Sequence, residues 1–148
     1  MGRTIIIMIL GLYLSSCNPC NNLDCPPPFP EGQFKILSLV NGNDLVFGSN
    51  KIYNKDQIKF YSLKGADTIF LNYEAIWYPG DDSLLAVRFL PEIETAYIKL
   101  NNSDTDTLKM SYKTHVSKCC GTITSVANLR FNNQMDIRGR YGIFELKK

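Results

Sequence analysis

An all-β fold is what this sequence predicts, and three observations carry the prediction. Apolar residues alternate with polar ones from residue 33 almost to the last residue. The alternating runs are short and recur at intervals of about 8 to 12 residues, with Gly, Asn, Asp and Pro gathered between them. No segment sustains the apolar spacing of a long helix. The expected architecture is a single antiparallel β-sandwich, immunoglobulin-like or a related Greek key, with a barrel as the alternative.

In the first strand, Phe34, Ile36 and Val40 alternate with Gln33 and Lys35. Asn41-Gly42 is a strong hairpin signal, because both residues accept positive φ, and Leu45, Val46 and Phe47 follow as its return. Residues 57 to 63 form the next strand. Asp67 to Tyr78 reads as one bent strand or two short ones, broken near Asn72. Leu84 to Leu90 is apolar apart from Arg88, as in a strand covered on both faces. Thr95 to Leu100 and Asp106 to Val116 flank a hairpin loop, Asn101-Asn102-Ser103-Asp104. In the second of these, Leu108, Met110, Tyr112, Thr114 and Val116 share one face, and Lys109, Ser111, Lys113 and His115 the other. Gly121–Val126, Asn128–Phe131, Gln134–Arg138 and Tyr141–Leu146 supply up to four further strands. Between Cys120 and Asn128 a helical turn is the alternative, since Ile123, Val126 and Leu129 are spaced by three.

Ahead of the alternating region, residues 18 to 32 have no apolar period, and Pro26-Pro27-Pro28-Phe29-Pro30 favours an extended polyproline conformation. Ahead of that again, Arg3 precedes an apolar run from Ile5 to Leu14, too short for the roughly 20 residues of a spanning helix. The run ends in Leu14-Ser15-Ser16-Cys17, which resembles the signal peptide and lipobox of a bacterial lipoprotein. The resemblance implies cleavage before Cys17, acylation of that residue, and residence in the cell envelope, anchored by lipid to the outer membrane. The chain then divides into a signal peptide (1–16), a lipid-anchored proline-rich tether (17–32) and a β-sandwich domain (33–148). Its layout is similar to that of small β-sandwich lipoproteins of the Bacteroidota. Bacteroidota lipoproteins exported to the surface tend to carry acids soon after the cysteine; here Asn18-Pro19 follows the lipobox and the first acid is Asp24, so the resemblance implies a periplasm-facing position.

Export leaves Cys20, Cys25, Cys119 and Cys120 in an oxidising compartment, where an even count favours disulfides. Three pairings are possible. A vicinal Cys119–Cys120 bridge strains its peptide and a Cys20–Cys25 bridge closes a tiny loop, so at least one bridge between the two pairs is expected. Joining Cys25 to Cys119 or Cys120 would constrain the chain by roughly 4 to 5 kcal/mol on the chain-entropy account.

The 16 basic and 14 acidic residues give a net charge of +2, with no basic cluster beyond Arg138, Arg140, Lys147 and Lys148, so nucleic acid is not a partner. The single histidine, His115, sits among Lys109, Ser111 and Lys113 on a solvent face, which argues against a catalytic triad. With Cys119, Cys120, Cys20 and Cys25 it could ligate zinc, but the spacing fits no zinc knuckle. Asp104-Thr105-Asp106 and Asp81-Asp82 have the acids but not the glycine and glutamate of a calcium loop, and read as turns. Glu74, Glu92 and Glu94 offer carboxylates without selecting a pair for glycoside cleavage.

Trp77-Tyr78-Pro79-Gly80 is the candidate binding surface, an aromatic pair at a loop, with Tyr78 the better placed for exposure. Asp67-Thr68-Ile69, Asp82-Ser83-Leu84 and Asp106-Thr107-Leu108 resemble the Asp-Ser/Thr-apolar sequon of Bacteroidota O-glycosylation, implying glycans on Thr68, Ser83 and Thr107. The competing explanation is an Asp that closes a turn and a Thr that opens a strand. No cofactor or metal is implied. The function expected is a lipid-anchored, non-enzymatic binding or accessory module with an envelope protein or glycan as partner. The alternative is a small envelope hydrolase or hydrolase inhibitor.

Overall fold

The computed structural model describes residues 20–21, 23–76, 83–132, 134 and 143–148, and among these nine strands form two sheets. Cys17, Trp77, Tyr78, Asp81, Asp82, Arg138 and Arg140 lie outside the described residues, as does the strand expected beyond Gln134. The strands are β1 (Glu31–Leu37), β2 (Lys59–Lys64), β3 (Asp67–Leu71), β4 (Tyr73–Ile76), β5 (Leu84–Arg88), β6 (Thr95–Lys99), β7 (Thr105–Ser117), β8 (Gly121–Phe131) and β9 (Phe144–Lys147). One sheet has the order β4-β5-β1-β9 and the other β3-β2-β6-β7-β8. The two pack face to face as a β-sandwich, not a closed barrel. Every pairing is antiparallel except β1 with β9, where Phe34 lies beside Phe144 and Ile36 beside Leu146.

Alternation builds the core. In β1 the burial pattern strictly alternates, so Phe34 and Ile36 point inward while Gln33 and Lys35 point out. Phe34 sits at the centre, with ring centroids 6.1 Å from Phe60 of the opposite sheet, 6.0 Å from Phe89 and 5.4 Å from Phe144. Such buried aromatics contribute through area and through their edge-to-face and stacked geometry. Leu84, Leu85, Ala86 and Val87 of β5 are all buried, so both faces of that strand are covered, as its unbroken apolar run predicts. The break at Asn72 is real and sends the chain from β3 in one sheet to β4 in the other.

Two expectations are corrected and one open alternative is resolved. Val40 does not share the β1 face; the strand ends at Leu37 and Val40 stands 94% exposed in the turn. Leu45, Val46 and Phe47 form no return strand beyond a single bridge of Leu37 with Asp44, and all three are buried in succession. A strand with one covered face cannot bury three neighbours, and Asp44 Oδ1 already accepts the Val46 and Phe47 N–H groups that a ladder would need. Between Cys120 and Asn128 the strand reading holds over the helical turn, and the expected strands Gly121–Val126 and Asn128–Phe131 run together as one long strand, β8. A bulge opposite Ser111 and Tyr112 inserts Ala127, so Val126 and Leu129 both reach the core three residues apart.

The β7–β8 hairpin outgrows the sandwich. Up to Tyr112, whose hydroxyl donates to the Ile93 carbonyl at 2.8 Å, β7 buries one face. From Lys113 to Val116 every residue is exposed, Val116 by 80%. These residues and their partners on β8 form a two-stranded ribbon that ends in a turn at Lys118–Cys120, where Ser117 Oγ accepts from the Cys119 and Cys120 N–H groups. Disulfides Cys20–Cys119 and Cys25–Cys120 fasten the amino-terminal segment to this tip. That segment rejoins the sandwich at Pro30, whose carbonyl accepts from Phe89 N.

Candidate functional site

The outer face of the five-stranded sheet is the surface whose residues are most unlike an ordinary solvated face. With Phe60, Leu71, Ile98 and Leu108 pointing inward, the pleat turns Tyr61, Phe70 and Tyr97 outward. Register then aligns them, since Tyr61 lies directly between Phe70 on β3 and Tyr97 on β6. The Tyr61 and Tyr97 rings stack with centroids 5.2 Å apart and planes at 23°, and Phe70 follows at 6.4 Å from Tyr61. Phe70 is 64% exposed and the neighbouring Leu63 53%. Thr107 continues the row on β7 beside Tyr97.

Cations flank this row on both sides. Lys59 lies opposite Lys99, one outward position along from the two tyrosines, and its ammonium stands 5.9 Å from the Phe70 ring centroid. On the other side Thr95 pairs with Lys109, and Lys109 with Arg130. By register no outward position of these five strands carries a carboxylate. Among the described residues none of these four cations stands within ion-pair distance of an acid. The outer face of the other sheet is mixed, pairing Glu31 with Arg88 and Lys35 with Glu145.

Open clefts among the described residues lie elsewhere. One, of about 550 Å³, is lined by Lys35, Asp44, Ser83 and Glu145 among others. The second, of about 470 Å³, is lined by Glu31, Tyr73, Glu74 and Arg88. In the first, Asp44 Oδ2 is shielded from solvent without a hydrogen-bond donor among the described residues, while Oδ1 is satisfied by backbone.

The residues singled out in the sequence are scattered. His115 is exposed on the ribbon, as its neighbours predict. All four cysteines Cys20, Cys25, Cys119 and Cys120 are consumed by disulfides and offer no thiolate to a metal. Asp104 and Asp106 converge, but on a cation of the chain itself: Lys148 Nζ bonds to Asp104 Oδ1 and, at 2.5 Å, to Asp106 Oδ2. Tyr53 donates to Asp104 Oδ2 at 2.6 Å, and Asn132 donates to Asp106 Oδ1 at 2.9 Å. Burial alone pushes the Asp104 carboxyl up, but the bonds from Lys148 and Tyr53, with the lysine charge, outweigh it and hold the group below its ordinary value. Burial first, then the bond to Asp104, raises the Tyr53 phenol. This is a clasp that pins the last residue across the sandwich.

Of the three sequon residues, Thr68 is exposed, Thr107 half-buried and Ser83 only 3% exposed. The aromatic row was not singled out in the sequence. Ile58, Phe60 and Ser62 alternate with Lys59, Tyr61 and Leu63, so both phases carry large side chains and period alone does not say which is outside. Strand pairing brings Tyr61, Phe70 and Tyr97 together. Comparison with protein families, with curated proteins and with solved structures found no match.

Proposed function

We propose that this protein is a lipid-anchored binding module of the bacterial cell envelope, without catalytic activity of its own, and that it binds through the outer face of the five-stranded sheet. The outward-facing row Phe70–Tyr61–Tyr97, in which Phe70 is exposed and the two tyrosines half-buried, carries the reading. Aromatic side chains left on a surface lose the benefit of burial until a partner covers them, so an aligned row of three is a surface prepared for contact. Export is supported by the two disulfides, which suit an oxidising compartment, and the anchor by the Leu14-Ser15-Ser16-Cys17 lipobox.

The test has two arms. Cys17→Ala should leave unprocessed precursor or release the domain from the membrane fraction; normal retention of a cleaved variant would overturn the anchor. Capture of envelope components by the intact protein should depend on the face, with Tyr61→Ser/Tyr97→Ser losing what the wild type retains. Equal capture by both proteins would remove the face from the function. The O-glycosylation reading narrows to Thr68, because a glycan on Ser83 would require that residue to leave its buried position and one on half-buried Thr107 would cover the aromatic row beside it. The intact mass of native protein, corrected for acyl groups, should exceed that of the bare chain, and Ser83→Ala should leave it otherwise unchanged.

A further inference from the structure

We infer that the ligand of this face is an anionic polysaccharide, a chain of uronate-type sugars lying across the strands along the Phe70–Tyr61–Tyr97 row. The inference rests on the binding reading above and names its substrate class. The outward positions form three parallel rows perpendicular to the strands. Phe70, Tyr61, Tyr97 and Thr107 make the middle one; Lys59, Lys99 and Thr105 lie to one side, and Thr95, Lys109 and Arg130 to the other. Adjacent rows are about 7 Å apart, two residues along a strand. A complementary ligand therefore has an apolar surface along its axis and negative charge at both edges.

A linear uronate chain has that form. The C–H faces of its pyranose rings pack on aromatic side chains, and its carboxylates project from the ring edges, where Lys59, Lys99, Lys109 and Arg130 stand without acidic partners among the described residues. Hydroxyls of Thr95, Thr105 and Thr107 and the Ser111–Asn128 pair, bonded at 3.0 Å, offer the donors and acceptors that sugar hydroxyls need. An acidic peptide fits less well. Peptides bind sheets by adding to an edge, and on this face the backbone groups of β2, β6 and β7 are already paired on both sides. The absence of outward carboxylates in a chain of almost balanced charge gives the selection its sign.

The full-length protein in neutral detergent micelles, with both disulfides intact, is titrated with a 1,4-linked oligogalacturonate, its uncharged amide and polyglutamate. Binding of the oligogalacturonate is expected to weaken as salt is raised from about 0.05 to 0.3 M. It should fall at least about tenfold in Tyr61→Ser/Tyr97→Ser and in Lys99→Gln/Lys109→Gln, while Lys109→Arg retains it. Unchanged melting temperatures confirm that the variants fold; should the tyrosine pair fail to, Phe70→Ser is read in its place. Failure of the oligogalacturonate to bind, or binding no tighter than its amide, overturns the inference. Polyglutamate bound equally tightly through the same residues also overturns it, but leaves the face a binding site. If envelope components too are captured equally by wild type and face variants, the binding reading itself falls.

Discussion

Single residues decide this fold where space or charge is shortest. Gly32 lies in the inward phase of β1 opposite Val87, and a Cβ there would stand 2.7 Å from Phe34 and 2.9 Å from Phe89. Both rings are fully buried and pack on each other, so neither can yield freely. Gly32→Ala should therefore destabilise by about 1 to 3 kcal/mol, measured by chemical denaturation; an unchanged midpoint would show that the Phe34 ring moves cheaply. The clasp is a second such place. Because the folded Asp104 carboxyl is held below its unfolded value, its contribution is present above about pH 4 and is lost as pH falls through the folded value. Urea melts should show that acid loss in the wild type and a smaller one in Asp104→Asn. An identical acid dependence in the two proteins would assign the loss to other carboxylates. Neither feature was legible beforehand. The acids Asp104 and Asp106 stood out as a pair, but their partner Lys148 is 42 residues from Asp106, and sequence pattern does not carry contacts over that distance.

At the scale of elements, period-two alternation located most of the strands, and its failures have local causes. Asp44 diverts the backbone at Leu45, and one extra residue in β8 imitates helical spacing. The expected bridge between the two cysteine pairs was legible from the even cysteine count and loop size; the structure supplies its connectivity. Cys20–Cys119 and Cys25–Cys120 join the same two short segments, with separations of 99 and 95 residues. Either bridge alone closes the long loop, so in the chain-entropy account removing one costs about 2 kcal/mol and removing both about 7. Serine pairs at Cys20/Cys119, at Cys25/Cys120 and at all four positions should thus be far from additive in denaturation free energy. Additive losses would mean that each bridge supports separate structure. The bridges matter for geometry too. The amino-terminal segment is held to the ribbon tip at Cys25 and to the sandwich at Pro30, so the few residues between them limit how far the tip can swing from the sandwich.

Across the whole molecule, these parts give the proposed anchor a definite geometry. Cys17 is three residues from Cys20, at most about 10 Å of chain, so an acylated Cys17 holds the ribbon tip, not the sandwich, at the bilayer. The strands of the five-stranded sheet continue the ribbon, and from Ser117 to Thr107 they rise roughly 33 Å. A ribbon standing on the membrane would carry the aromatic row about that far out. Since the row crosses the strands, a polymer lying along it would run parallel to the bilayer, as a strand of envelope glycan would. The height follows from ribbon length and can be changed without changing register. Deleting Thr114 and His115 together with their partners Thr124 and Ile123 removes two residues from each strand, preserving the in–out alternation beneath. Neutron reflectometry of the acylated protein on a supported bilayer should then find the sandwich layer roughly 7 Å closer to the lipid. Replacing all four bridged cysteines by serine should instead blur the layer, because residues 18 to 30 would become a free tether. A sandwich at unchanged height in the deletion variant would mean that the ribbon lies along the membrane, and the aromatic row would then face the lipid surface at an angle that no parallel strand of glycan could share.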